Sequence, residues 1–214
     1  MKPSTNFIPS SSPAPSEESG EISIGIFGGS FNPIHNGHIA LAEAFLKKKK
    51  LDEVWFMVSP LNPFKVNQQL LADHLRLELV RKATADNPRF KASDYEFHLP
   101  KPSYTWNTLQ HLSNDYPTHR FTLLIGGDNW EAFVRWYHAE DILARYPIVV
   151  YPRHNQRLSE TSLPQGVTFL QTPFIDISST DIRQRVSQRK TIDGLVPQAI
   201  ISDVQHLYQA VSQE

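Results

Sequence analysis

The sequence predicts an α/β fold, a doubly wound and mainly parallel sheet with helices on both faces. Short apolar runs alternate along the chain with segments of helical periodicity. The run at 54–58 is continuously apolar, the form of a strand covered on both faces, and the largely apolar runs at 121–125 and 148–151 read the same way. With 214 residues, 40% of them hydrophobic, there is enough material for one sizeable core.

Residues 1–20 place Pro3, Pro9, Pro13 and Pro15 among serines, a mixture too polar to bury, and are expected to form a disordered tail. Order is expected over 21–212. Ile22, Ile24 and Ile26 alternate with Ser23, Gly25 and Phe27 in a strand that ends at Gly28-Gly29. From His38 the period turns helical. Ile39, Ala42, Phe45 and Leu46 share a face, and Lys47 to Lys50 set positive charge at the negative end of the helix dipole. Val54 to Val58 is the next strand, stopped by Pro60 and Pro63. Leu71, Leu75 and Leu79 then recur at helical spacing through about Ala85, and Asn87-Pro88 closes that segment. A helix over Thr105–Asn114 turns Leu109 and Leu112 to the core. Strands follow at Phe121–Ile125, Ile148–Tyr151 and Val167–Leu170. The last helix has Pro197 near its first turn and a stripe of Ile200, Val204, Leu207 or Tyr208, and Val211. No internal repeat interrupts this order, so a single Rossmann-like domain is expected.

The 21 basic and 22 acidic residues leave a net charge of -1, which supplies no global field for a polyanion, and nucleic acid is not expected as a partner. The absence of cysteine excludes disulfides, thiolate metal sites and cysteine nucleophiles. No stretch approaches the roughly 18 apolar residues of a membrane span, and the polar start does not resemble a secretory signal. A soluble, cytoplasmic protein is expected, and composition leaves open whether it forms a homo-oligomer.

Ligands of doubly wound folds bind at the carboxyl ends of the strands. Gly28-Gly29, Ser59 to Lys65 and Gly126 to Asp128 all lie at such ends. In the first of these loops Gly28 and Gly29 let the backbone approach a ligand, and Ser30 and Phe31 continue toward Pro33. His35 and His38, three residues apart at a helix entrance, share one side of it and can donate to phosphate oxygens without a metal. The spacing is neither Gly-x-Gly-x-x-Gly nor a P-loop. Farther on, Ser178 or Ser179 is suited to cap a helix, and the hydroxyls of Ser178, Ser179 and Thr180 with first-turn amides form a second anion cradle. Arg183 stands one turn in, on the same face as Ser179 or Thr180. Asp128 after Gly126-Gly127 either faces a ligand or caps locally, because a buried unpaired carboxylate is costly. Trp130 and Trp136 read, on periodicity alone, as core residues of an amphipathic segment.

The loop ending His35-Asn36-Gly37-His38 resembles the His-x-Gly-His signature of the nucleotidyltransferase superfamily, and Ser178-Ser179-Thr180-Asp181-Ile182-Arg183 resembles its second ATP-binding signature. Class I aminoacyl-tRNA synthetases share the first element but are much longer and carry a lysine-rich signature missing here. Three further pieces, Pro102 to Leu109, Ile125 to Phe133 with Trp136, and Val150 to Arg153, look like those of bacterial nicotinate-nucleotide adenylyltransferases. The resemblance implies transfer of the adenylyl group of ATP to nicotinate mononucleotide, with magnesium travelling on the nucleotide and no dedicated metal site. It implies that His35 and His38 steady the α- and β-phosphates, while Lys65 and Arg183 hold the outer ones. Gly28, Gly29, Ser30, Phe31, Gly126, Asp128, Arg153, Ser178, Ser179 and Thr180 would line the substrates. Trp136 would stack on the pyridine ring, and backbone amides around Tyr137 and Tyr104-Thr105 would face its carboxylate. The chain departs from the family at Asn32, where aspartate is common, at Phe64, where histidine often precedes the basic residue, at Gly127 in place of a frequent alanine, and at Gln198-Ala199. Rival expectations are nicotinamide mononucleotide or phosphopantetheine as acceptor, or a nucleotide-binding regulatory protein without catalysis.

Overall fold

The computed structural model describes residues 20–60, 70–152, 163–170 and 176–211. Six strands, β1 (Ile22–Gly29), β2 (Glu53–Val58), β3 (Phe90–Ser93), β4 (His119–Gly126), β5 (Ile148–Tyr151) and β6 (Val167–Phe169), form one sheet in the order β3-β2-β1-β4-β5-β6. Every neighbouring pair is parallel, with Phe27 of β1 level with Phe56 of β2 on one side and Leu124 of β4 on the other. Because the sequence order reverses between β1 and β4, the crossovers diverge there and leave a crevice at the carboxyl ends of those two strands.

Seven α-helices are assigned among the described residues: α1 (Asn36–Lys49), α2 (Asp73–Thr84), α3 (Thr105–Asp115), α4 (Gly127–Glu131), α5 (Ala139–Arg145), α6 (Ser179–Ser187) and α7 (Ile201–Val211). One apolar layer joins Phe27, Phe45, Phe56, Val80, Ile182 and Val204, so α1, α2, α6 and α7 share a face of the sheet. The other joins Ile24, Ile26, Leu109, Leu112, Leu123 and Ile142 under α3 and α5. Alternation along β1 sends Ile24 and Ile26 to the second layer and Phe27 to the first. At Gly25 a Cβ would lie 2.3 Å from the Phe45 ring, so α1 packs closely on β1 only because that side chain is missing.

Several boundaries differ from expectation. Leu71 precedes α2, and the buried stripe of that helix is Arg76, Leu77, Leu79 and Val80. The strand β3 has no apolar run to announce it; Phe90 alone is buried and pairing with β2 makes it a strand. A 3-10 turn at Gln198–Ile200 leads into α7, and Tyr208, 3% exposed, occupies the stripe position that Leu207 shared in the pattern. The expected tail lies outside the described residues, save Gly20. Among the described residues no helix is long and apolar enough to cross a membrane.

Candidate active site

At the end of β1 the chain runs through Ser30 to Pro33 and enters α1 with His35 as N-cap. The two imidazoles stack, their centroids 3.6 Å apart and 27° from parallel. The backbone N–H of His35 donates to Nδ1 of His38 at 3.2 Å. An Nδ1 that accepts leaves the proton of the neutral ring on Nε2, so His38 keeps an N–H donor on its far side. Phe31 takes a left-handed backbone (φ 44) and buries its ring, 2% exposed, edge-on to His38 at 5.1 Å and to Phe27 at 5.7 Å. The expectation that Phe31 lines the substrate is therefore corrected for its side chain: the ring is core and braces His38. Among the described residues a Cβ at Gly28 would meet nothing within 4 Å, whereas one at Gly29 would meet the Phe31 ring.

The two signatures meet. Ser178 is the N-cap of α6 and its Oγ accepts from Asp181 N at 3.0 Å. Ser179 Oγ donates to the Pro33 carbonyl at 2.9 Å. Arg183 donates through Nη1 to the Asn32 carbonyl at 2.7 Å and through Nη2 to Thr180 Oγ1 at 3.2 Å. Asn36 at the head of α1 reaches back, its N–H to Leu195 O and its Nδ2 to Gly194 O, each at 2.8 Å. Ser178 is the expected cap, Ser179 docks on the first loop, and Thr180 is exposed beside the guanidinium. A guanidinium has five N–H groups, so Arg183 retains donors beyond these two bonds.

A second group of the expected site residues gathers where α3 begins. Tyr104 is the N-cap of α3 and Thr105 its first residue; the Tyr104 ring lies 5.0 Å from that of Tyr137. Trp136 is half-buried against Phe133 at 5.4 Å, and its Nε1 is buried with no acceptor among the described residues. Tyr137 is 49% exposed. Gly126 ends β4 and caps α4, with Asp128 exposed in the first turn. Lys65, Phe64 and Arg153 lie outside the described residues. Among the described residues no group of three or more His, Asp or Glu is arranged to hold a metal ion.

The family model described as Cytidylyltransferase-like matches residues 26–185. A Bacteroides thetaiotaomicron protein named a probable nicotinate-nucleotide adenylyltransferase is 49% identical over 82% of this chain and 87% of its own. A Cytophaga hutchinsonii protein of the same name is 47% identical over 83% of this chain and 92% of its own. The chain belongs to the nicotinate-nucleotide adenylyltransferases of the cytidylyltransferase-like family. Among solved structures, the Plasmodium falciparum nicotinic acid mononucleotide adenylyltransferase complexed with NaAD superposes with a TM-score of 0.73 at 18% identity, covering 88% of this chain and 98% of that one. That likeness shows the common fold.

Three buried polar residues of this adenylyltransferase escaped the sequence reading. Arg76, fully buried, donates to the carbonyls of Leu71 at 2.8 Å, Ser59 at 3.1 Å and Ser30, and pairs with Asp73 at 2.6 Å. It ties the loops after β1 and β2 to the start of α2. Its signal was legible: a charge three residues before Leu79, inside the apolar stripe. Asn32, noted only as a departure from the family, is 3% exposed, and its Oδ1 accepts from Tyr208 OH at 2.6 Å and Leu71 N at 3.2 Å. Burial raises the Tyr208 phenol above its ordinary pKa, although Arg183 and Arg76 pull the other way. Glu96, 7% exposed, sits in the 3-10 turn Tyr95–His98 with no pattern to mark it.

Proposed function

We propose that this chain transfers the adenylyl group of ATP to nicotinate mononucleotide, giving deamido-NAD and pyrophosphate. The observation that carries the proposal is the contact between the two signatures: Ser179 and Arg183 bond to the carbonyls of Pro33 and Asn32, so both donor clusters surround one place. The names of the relatives, 47–49% identical over most of their length, supply the acceptor.

An oxygen of the mononucleotide phosphate attacks the α-phosphorus of ATP. The new P–O bond forms as the bond to the bridging αβ oxygen breaks, and pyrophosphate leaves with that electron pair. The nucleophile is already an anion, so positioning and charge stabilisation suffice. His38 offers its Nε2–H and His35 its stacked ring beside the positive end of α1, both suited to charge developing on the α- and β-phosphates. Arg183 and Lys65 hold the outer phosphates. Magnesium enters with ATP as part of the substrate. For the acceptor, Trp136 and the Tyr104–Tyr137 contact flank the pyridine ring at the amino end of α3. Backbone amides there favour a carboxylate, whereas a carboxamide also needs an acceptor. A cytoplasmic setting suits a reaction fed by ATP.

The test is to mix the protein with Mg-ATP and, separately, nicotinate mononucleotide, nicotinamide mononucleotide and phosphopantetheine, measuring pyrophosphate and identifying the product. Deamido-NAD should form with kcat/KM at least about tenfold above either rival. Faster turnover of another acceptor would overturn the substrate assignment, and no pyrophosphate with any of them would overturn the enzyme.

A further inference from the structure

Between the phosphate loop and the acceptor half-site lies one buried carboxyl group that the reaction itself does not use. Glu96 Oε2 accepts from Ser59 Oγ at 2.7 Å, and its Oε1 accepts from Thr108 Oγ1 at 2.9 Å. Ser59 follows the last residue of β2, and its N–H donates to Gly29 O, the last residue of β1, at 2.9 Å. Thr108 is one turn into α3, and its N–H donates to the carbonyl of Tyr104 at 3.1 Å. A single side chain therefore joins the ends of the central strands to the turn that presents Tyr104 and Thr105.

We propose that Glu96 is a positioning residue for the acceptor: it sets the first turn of α3, and with it the pyridine-facing amides, at a fixed place above the strand ends. The inference rests on the reading of the site given above, and it singles out one half of it. Ser59 is held on the phosphate side by two bonds that do not involve Glu96, its N–H to Gly29 O and its carbonyl from Arg76 Nη1. Removing the carboxyl group leaves those bonds in place and releases only α3. Burial raises the pKa of Glu96, while the hydroxyls of Ser59 and Thr108 pull it down. Both neighbours are hydroxyls, which donate or accept by turning. A glutamine can therefore stand in, its Nε2 donating to Thr108 Oγ1 while that hydroxyl turns toward the Tyr104 carbonyl, 3.4 Å away.

The experiment is two-substrate steady-state kinetics on full-length wild type, Glu96→Gln and Glu96→Ala, with thermal unfolding of each. Glu96→Ala should raise the KM of nicotinate mononucleotide by about tenfold or more, the scale of losing a buried hydrogen-bonded contact, with the KM of ATP changed less than about twofold. Glu96→Gln should restore the acceptor KM to within about threefold of wild type. A parallel rise in both KM values, an unchanged acceptor KM in Glu96→Ala, or a Glu96→Gln as impaired as Glu96→Ala would overturn the proposal. Should Glu96→Ala fail to fold, Thr108→Val is read by the same split, because it cuts only the α3 end of the bridge. Wild type that ignores nicotinate mononucleotide but adenylylates another acceptor removes the substrate assignment, and the comparison is then made on that acceptor. Turnover of none removes both.

Discussion

Alanine at Gly28 tests where the nucleotide sits. The new methyl would meet no atom of the described residues within 4 Å, and Gly28 lies in a strand without positive φ, so neither clash nor backbone strain arises among them. Reduced freedom of the unfolded chain should raise stability by about 0.4–1 kcal/mol. The open space it enters is the crevice assigned to the triphosphate, where one extra methyl in a close contact costs about 1–3 kcal/mol, or about 5- to 150-fold in the KM of ATP. Alanine at Gly29 is the control. Its Cβ would lie 3.0, 3.2 and 3.3 Å from Phe31 ring atoms, and Phe31 is fixed by Phe27 and Phe56. That strain should cost about 1–3 kcal/mol of stability, roughly 2–4 °C in Tm for each kcal/mol. Urea unfolding and initial rates over a range of ATP concentrations separate the two effects. A Gly28→Ala protein with an ordinary KM for ATP, or one as destabilised as Gly29→Ala, would refute this placement of the nucleotide.

Other perturbations follow from the same geometry. Arg76→Met strips the donor from three carbonyls, at Ser30, Ser59 and Leu71, and should lower stability by about 3–5 kcal/mol in urea; an unchanged midpoint contradicts its role as a staple. His38→Ala should lower kcat by about a hundredfold or more while ATP affinity, measured calorimetrically, stays within about threefold, and near-normal turnover would take the imidazole out of the transition state. Glu96→Gln should be more stable than wild type by a margin that grows with pH. The folded pKa of Glu96 lies above its ordinary 4.5, so the unfolded chain releases that proton first. Wild type therefore loses stability as pH rises from 4.5 to the raised value, and the loss levels off beyond it. A Tm difference that stays constant from about pH 4 to about pH 8 would count against a raised pKa.

The architecture was legible because its signals are local. Alternation over 22–27 and the short apolar runs at 54–58, 121–125 and 148–151 are strand signatures that need no tertiary context. The strand β3 was not, because Lys91, Ala92 and Ser93 owe their conformation to pairing with Trp55, Phe56 and Met57. The phosphate motifs were legible as chemistry but not as geometry. The spacing offers Ser178 or Ser179 as the cap, but nothing in it says which of the two caps, that the other docks on Pro33, or that the Phe31 ring turns inward. Glu96 and Asn32 were missed for a common reason: each bonds to residues 12 to 176 positions away, and a buried polar group is explained only by partners that folding brings to it.

Those distant bonds bear on how the site works. Residues 32–36 carry the phosphate loop, and each end of that stretch is bonded to the last third of the chain: Asn32 and Pro33 to Arg183, Ser179 and Tyr208, Asn36 to Gly194 and Leu195. The helices α6 and α7, which carry Ser179, Arg183 and Tyr208, are fixed by Ile182, Val186, Ile200 and Val204, all nearly fully buried in the layer that also holds Phe27 and Phe31. Arg183, Ser179 and the 32–36 loop, which the proposed function sets around the triphosphate, are therefore placed by the same packing that stabilises the domain. Donors placed in advance need little reorganisation as charge moves from the α-phosphorus to pyrophosphate, which is the form of catalysis open to a site whose nucleophile is already charged.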